Sequence, residues 1–174
     1  MPSNFAEFEP NVERLGCASD FINELIDAIE PHPLFEDFSR EEYALLSNYL
    51  LCFGVPRQAV VIREGDTGDF LAILVTGSAV MLKTYAGIEK VVHALAPGEI
   101  FGETSLIDGQ ARRATCITTE PSDFAVLTRR HLDSMLDDHP RLGNKFLLML
   151  LNVSANRLRN ATAIMLPGVQ ENLA

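Results

Sequence analysis

Arg112 and Glu103 are the residues whose types could do chemistry. They sit in a stretch, 98–115, that holds three glycines, two glutamates and two adjacent arginines within 18 residues. An arginine offers a planar fork to two oxygens of one anion such as phosphate, a geometry that lysine does not copy. Gly102 lacks a side chain, so the backbone there can approach a ligand closely or turn through positive φ. Thr104 to Asp108 can form one short helical turn, whose first N–H groups point outward and attract negative charge. Glu103 beside such a site would repel an anion. It fits if its carboxylate accepts a hydroxyl proton from the same ligand while Arg112 offsets its charge. Taken alone, an Arg–Glu pair at this separation reads as a surface salt bridge worth about 0–1 kcal/mol.

These groups must be held by a scaffold, and the chain's periodicity describes one. Phe21, Ile22, Leu25, Ile26 and Ile29 fall on one face of a helix that Pro31 stops. A second helix starts at Ser39, where Glu42 completes a capping box, and Leu45, Leu46, Tyr49 and Leu50 give it an apolar face. The period then changes. Short apolar runs at 59–62, 70–75, 79–85 and 91–95, then 114–118 and 123–127, alternate with Gly, Asp and Pro turns. Short strands at this regular spacing predict an antiparallel β-barrel or jelly roll. Leu132, Met135 and Leu136 mark one short helix after it. Pro140 opens a long helix running to about Leu166, where Pro167-Gly168 is expected to end it. Phe146, Leu147, Leu150, Leu151, Val153, Leu158 and Met165 are expected to line its apolar face.

The fold class is therefore mainly β with flanking helices: N-terminal helices, an antiparallel β-barrel or jelly roll, and a long C-terminal helix. The divisions are a lead-in and helix over 1–36, a domain over 37–166 and a tail over 167–174. Within the domain the barrel covers about 52–128 and the C-terminal helices 129–166. Residues 1–16 show no clear period and read as a loose lead-in.

Phe101-Gly102-Glu103, the small Ser105, then Arg112 and Ala114-Thr115, resemble the phosphate-binding cassette of cyclic-nucleotide-binding domains. The resemblance extends over the barrel, through the turn glycines at Gly65, Gly77 and Gly98. It implies a ligand with one phosphodiester charge, one free 2′-hydroxyl and a flat base: cAMP, or alternatively cGMP, with no cofactor. By resemblance, Glu103 and the Gly102 backbone hold the ribose. Arg112, with the backbone N–H groups of Ser105 and Arg113, holds the phosphate, and Thr104 and Ala114 complete the cassette. Met81 and Val92 would form part of the apolar wall for the base, although barrel core explains them equally. Asn156, Asn160 and Thr162 on the long helix are candidate contacts to the base edge. Arg113 stands where many relatives carry Ala, Ser or Thr, so it gives no hint of the base.

The resemblance also implies a non-catalytic regulator whose C-terminal helix moves, with a homodimer seam along that helix and an unidentified protein partner. A helix-turn-helix domain would follow the long helix in bacterial transcription factors of this kind. Here eight residues follow Leu166, and with 24 acids against 14 bases and a net charge of −10, no nucleic-acid partner is expected. Cys17, Cys52 and Cys116 lie far apart and suit a cytoplasmic protein with reduced thiols. The longest apolar run, 146–151, is too short to span a membrane. Two other functions compete. One is an interaction module on the same fold that takes no ligand. The other is a cupin-like barrel enzyme, but of His32, His93, His131 and His139 only His93 falls on an expected strand. Ser105 sits in no nucleophile elbow.

Overall fold

The computed structural model describes the backbone over residues 12–170 and the side chains as far as 160. Five strands form one antiparallel sheet in the order β1-β2-β9-β4-β7, and four form a second in the order β3-β8-β5-β6. The first sheet comprises β1 (Glu13–Cys17), β2 (Leu51–Val55), β9 (Ser122–Thr128), β4 (Phe70–Thr76) and β7 (Ile100–Phe101). The second comprises β3 (Val60–Ile62), β8 (Thr115–Thr118), β5 (Ala79–Tyr85) and β6 (Ile88–Leu95). The two sheets do not close on each other. They form an open two-sheet jelly roll rather than a closed barrel.

The first sheet carries apolar side chains on both faces. In β4, Phe70, Ala72 and Leu74 face the second sheet, while Leu71, Ile73 and Val75 face the helices. β9 repeats the pattern, with Phe124 and Val126 inward and Ala125 and Leu127 toward the helices. Period-2 alternation between two cores is why β4 reads as an unbroken apolar run. The helical layer contains α1 (Ile22–Ile29), α2 (Arg40–Ser47), α4 (Arg129–Asp138) and α5 (Pro140–Gln170). The capping box of α2 is formed: the Ser39 amide donates to Glu42 Oε2 at 2.9 Å, and the Glu42 amide donates to Ser39 Oγ at 3.3 Å.

α5 buries Leu142, Phe146, Met149, Leu150 and Val153 against the rest of the protein. Those positions recur at the spacing of one helical stripe. Lys145 Nζ secures the helix to Glu42 Oε2 at 2.6 Å.

Three expectations change. Residues 13–17 are an edge strand rather than lead-in, paired to β2 through a bulge between Arg14 and Gly16. Exposed on both faces for most of its length, it has no alternation to read. Residues 1–11 lie outside the described residues. Pro167-Gly168 does not end α5, which continues to Gln170 over 31 residues, or about 46 Å. A proline inside a helix removes one donor, and here the backbone runs on past it. Residues 171–174 of the expected tail lie outside the described residues. Finally, the apolar face of α5 is divided: Leu151 and Leu158 are exposed, as is Leu148, while Phe146, Leu150 and Val153 are buried. Met165 lies beyond the described side chains.

Candidate functional site: a cleft lined by a buried guanidinium and carboxylate

A cleft of about 730 Å³ opens between the 98–114 segment, strands β5 and β6, and α5. Its floor is α3 (Glu103–Asp108), a helix framed by two left-handed glycines. Gly102 caps the start at φ 80° and ψ 2°, a conformation that costs a residue bearing Cβ. The short turn expected over 104–108 is thus present, one residue longer at its start.

Arg112 is only 4% exposed. Its backbone is fixed first: the Arg112 amide donates to Asp66 O at 2.8 Å, and the Gly65 amide donates to Arg112 O at 2.9 Å. The guanidinium lies 4.3 Å from the centre of the Phe70 ring, and Nη1 donates to Gly102 O at 2.9 Å. Nη2 is buried and has no hydrogen-bond partner among the described residues. Desolvation pushes the guanidinium down from its ordinary value to about 10, against the opposing pull of Asp69 and Glu103. A cation held so far from water, with the two N–H groups of Nη2 unspent, is poised for an anion.

Two glycines make room for it. A Cβ on Gly68 would fall 2.4 Å from Nη2, and one on Gly102 would fall 2.6 Å from Nη1. Gly68 reads as an ordinary turn residue in the sequence, and only the approach of Arg112 shows what its missing side chain permits.

Glu103 is 1% exposed. Its Oε1 accepts from Thr104 Oγ1 at 3.0 Å and from Arg157 Nη1 at 2.5 Å. Arg157 Nη2 donates to Ile100 O at 2.7 Å. Glu103 Oε2 is buried with no hydrogen-bond partner among the described residues. Arg112 and Glu103 attract each other across the site, while the direct ion pair of Glu103 is with Arg157 on α5. Sequence reasoning missed Arg157 because it lies 54 residues away on a helix whose register was not fixed. It lies three positions before the candidate Asn160, one turn along the same helix, so the signal was adjacent but unspecific.

The cleft gathers Gly102, Glu103, Thr104, Ser105, Arg112, Arg113, Ala114, Met81, Val92, Asn156 and Asn160. Thr162 lies on α5 but outside the described side chains. Asn156 is exposed, and its Oδ1 accepts from Arg159 Nη2 at 2.5 Å. His32, Leu34, His93, Glu99 and Arg157 line the cleft as well, none of them singled out from sequence as site residues. The chemistry assembled is a binding cradle: an anion fork, a hydroxyl acceptor and an apolar wall.

Residues 54–139 match the family profile described as "Cyclic nucleotide-binding domain". A solved cyclic nucleotide-binding domain from Methylobacillus flagellatus KT is 34% identical, with a TM-score of 0.83 and 97% of each chain covered. The cyclic AMP receptor protein of Thermus thermophilus is 29% identical over 130 residues, 74% of this chain and 58% of that protein. A cAMP-dependent protein kinase regulatory subunit of Mycosarcoma maydis is 38% identical over 95 residues, 55% of this chain and 18% of that protein. The chain thus spans less than two thirds of the length of either of these two relatives.

Proposed function

The chain belongs to the cyclic-nucleotide-binding domain family, and on that premise we propose that it binds a 3′,5′-cyclic nucleotide, cAMP in preference, as a regulatory rather than catalytic protein. One observation carries this reading. Among the described residues Arg112 Nη2 and Glu103 Oε2 are both buried without a hydrogen-bond partner, and both residues line one cleft. A cyclic nucleotide supplies what each lacks: phosphate oxygens for the guanidinium and a 2′-hydroxyl donor for the carboxylate. Because Arg157 and Thr104 occupy Oε1, the hydroxyl can reach Oε2 without displacing them. The two relatives reported above are named for cAMP, which supports that nucleotide as the first to test.

The output follows from the same contacts. Arg157 joins α5 to Glu103 and to Ile100 O, so a ligand that orders the cassette also biases α5. It can do so only by its differential affinity for the two arrangements. Leu148, Leu151 and Leu158 are exposed on α5 at 62%, 62% and 69%, which supports a homodimer seam along that helix. The net charge of −10 supports a protein rather than DNA as the next partner. The three separated cysteines fit a cytoplasmic setting.

Calorimetric titration with cAMP and cGMP tests this, with Arg112→Ala beside the parent protein. The variant loses two charge-assisted hydrogen bonds of about 1.5–3 kcal/mol each, hence about a hundredfold or more in affinity. Equal binding by both proteins removes Arg112 from the site. Absence of binding to either nucleotide replaces this reading with an interaction module that takes no ligand.

A further inference from the structure

The β6 side of the cleft carries a polar pair that the reading above leaves unused. His93 Nε2 lies 3.0 Å from Glu99 Oε1, and both residues line the cleft. A bulge puts the histidine there. Leu82 pairs with Val91 and Met81 with His93, so Val92 has no partner on β5. Consecutive residues of a regular strand point to opposite faces, whereas a bulge re-aims them. Val92 and His93 accordingly both line the cleft.

Glu99 is held rigidly. Its Oε2 accepts from the Ala96 amide at 2.8 Å. Its own amide donates to Ala96 O at 3.1 Å, and its carbonyl accepts from the Leu74 amide at 3.0 Å. A carboxylate can only accept, so the neutral imidazole carries its proton on Nε2 and presents Nδ1 as an acceptor. β6 lies two strand positions from β8, which begins just after Arg112–Ala114. That is about 10 Å, a span that carries a nucleotide from its phosphate to its base.

Building on the cyclic-nucleotide reading above, we propose that His93 is a specificity-determining residue for the base. Its Nδ1 accepts from an amino group at the purine 6-position and opposes a 6-oxo group there, while Glu99 is a positioning residue that fixes the tautomer. The juxtaposition of two acceptors leaves a 6-oxo base without a donor at this contact, which costs affinity.

The test compares cyclic AMP with cyclic IMP, which differ in the group at the 6-position, by calorimetry on the parent protein, His93→Ala and Glu99→Ala. The parent is expected to prefer cyclic AMP by about tenfold. His93→Ala brings the two affinities within about twofold, with cyclic IMP binding no weaker than before. Glu99→Ala narrows the preference too, because the ring is then free to present a donor. Melting curves establish that the variants are folded, and a parent protein with equal affinities overturns the proposal without any variant. Retention of the tenfold preference by folded His93→Ala also overturns it. If the parent binds neither nucleotide, the cyclic-nucleotide reading itself fails and this proposal falls with it. Binding without discrimination sinks only the role of His93.

Discussion

The two ends of the cleft are built on different terms. At the Arg112 end every group is fixed by several others. Arg112 is held by the backbone of Gly65 and Asp66, by the Phe70 ring and by Gly102 O, with two glycines cleared from its path. At the β6 end, residues 88–94 are exposed, and Val91 and Val92 are 61% and 58% open to solvent. Phosphate and ribose are common to all cyclic nucleotides, so a rigid buried cradle can recognise them in every member. The base varies, and on the reading proposed above it would meet an open strand and an exposed helix face whose contacts can change without disturbing a core. Binding energy should therefore concentrate at the first end and discrimination at the second.

Gly68→Ala is the sharpest probe of the rigid end after loss of the arginine itself. The new methyl would sit 2.4 Å from Nη2, 2.5 Å from Nε and 2.6 Å from Cζ of Arg112. The far end of a side chain can move aside, so the melting temperature should change little. The guanidinium cannot move and still offer Nη2 to the ligand. Loss of one charge-assisted hydrogen bond predicts about thirtyfold weaker binding of cAMP. Unchanged affinity would mean that Arg112 has slack, and the comparison between the two ends would break.

A second probe uses the charge of the same group. Burial lowers the guanidinium of the unliganded protein to about 10, whereas a bound phosphate would restore its affinity for the proton. Below that value both states carry the proton, and binding should not depend on it. Above it the free protein has lost a proton that the complex retains, so affinity falls as pH rises. The slope approaches about tenfold per pH unit. Titrations between pH 7 and 11 measure this; a decline already complete by pH 9 would assign the titration to another group.

How much of this was legible follows the same division. Glu103, Gly102 and Arg112 stood out because cassette residues lie close in sequence, and a short helix with glycine ends forces a local spacing. The apolar run of β4 and the capping box at Ser39 were legible for the same reason: each is a pattern within one element. Arg157 and Gly68 were not, because each acts on a residue tens of positions away, and nothing local marks a glycine kept small for a distant guanidinium. The bulge at Val92 was hidden as well, since a skipped pairing leaves no mark on the strand's own apolar pattern. β1 escaped because an exposed edge strand buries neither face consistently.

Arg157 stands between the two ends and should behave so. Replacing it with Ala strips the Glu103 carboxylate of its cationic partner and cuts the link from α5 to Ile100 O. Half of the Arg157 side chain is exposed, so water screens part of the loss. About fivefold weaker cAMP binding is expected, in line with an interaction near 1 kcal/mol. Hydrogen exchange adds the decisive readout: ligand should protect 140–166 in the parent protein and protect it less in the variant. Equal protection in both would show that α5 responds through contacts other than Arg157.

The smallest effect is expected at Asn156, and it is the cleanest test of the open end. Its carboxamide oxygen is already taken by Arg159 on the same helix, 2.5 Å away, and the residue is exposed. A ligand contact there would have to compete with both that bond and water, which leaves little net gain. Asn156→Ala should change cAMP affinity by less than about twofold, with no change in melting temperature. A loss of tenfold would mean that α5 closes on the base and trades the Arg159 bond for a ligand bond. The open end would then contribute binding energy as well as discrimination, and the two ends would differ in when they form rather than in what they supply.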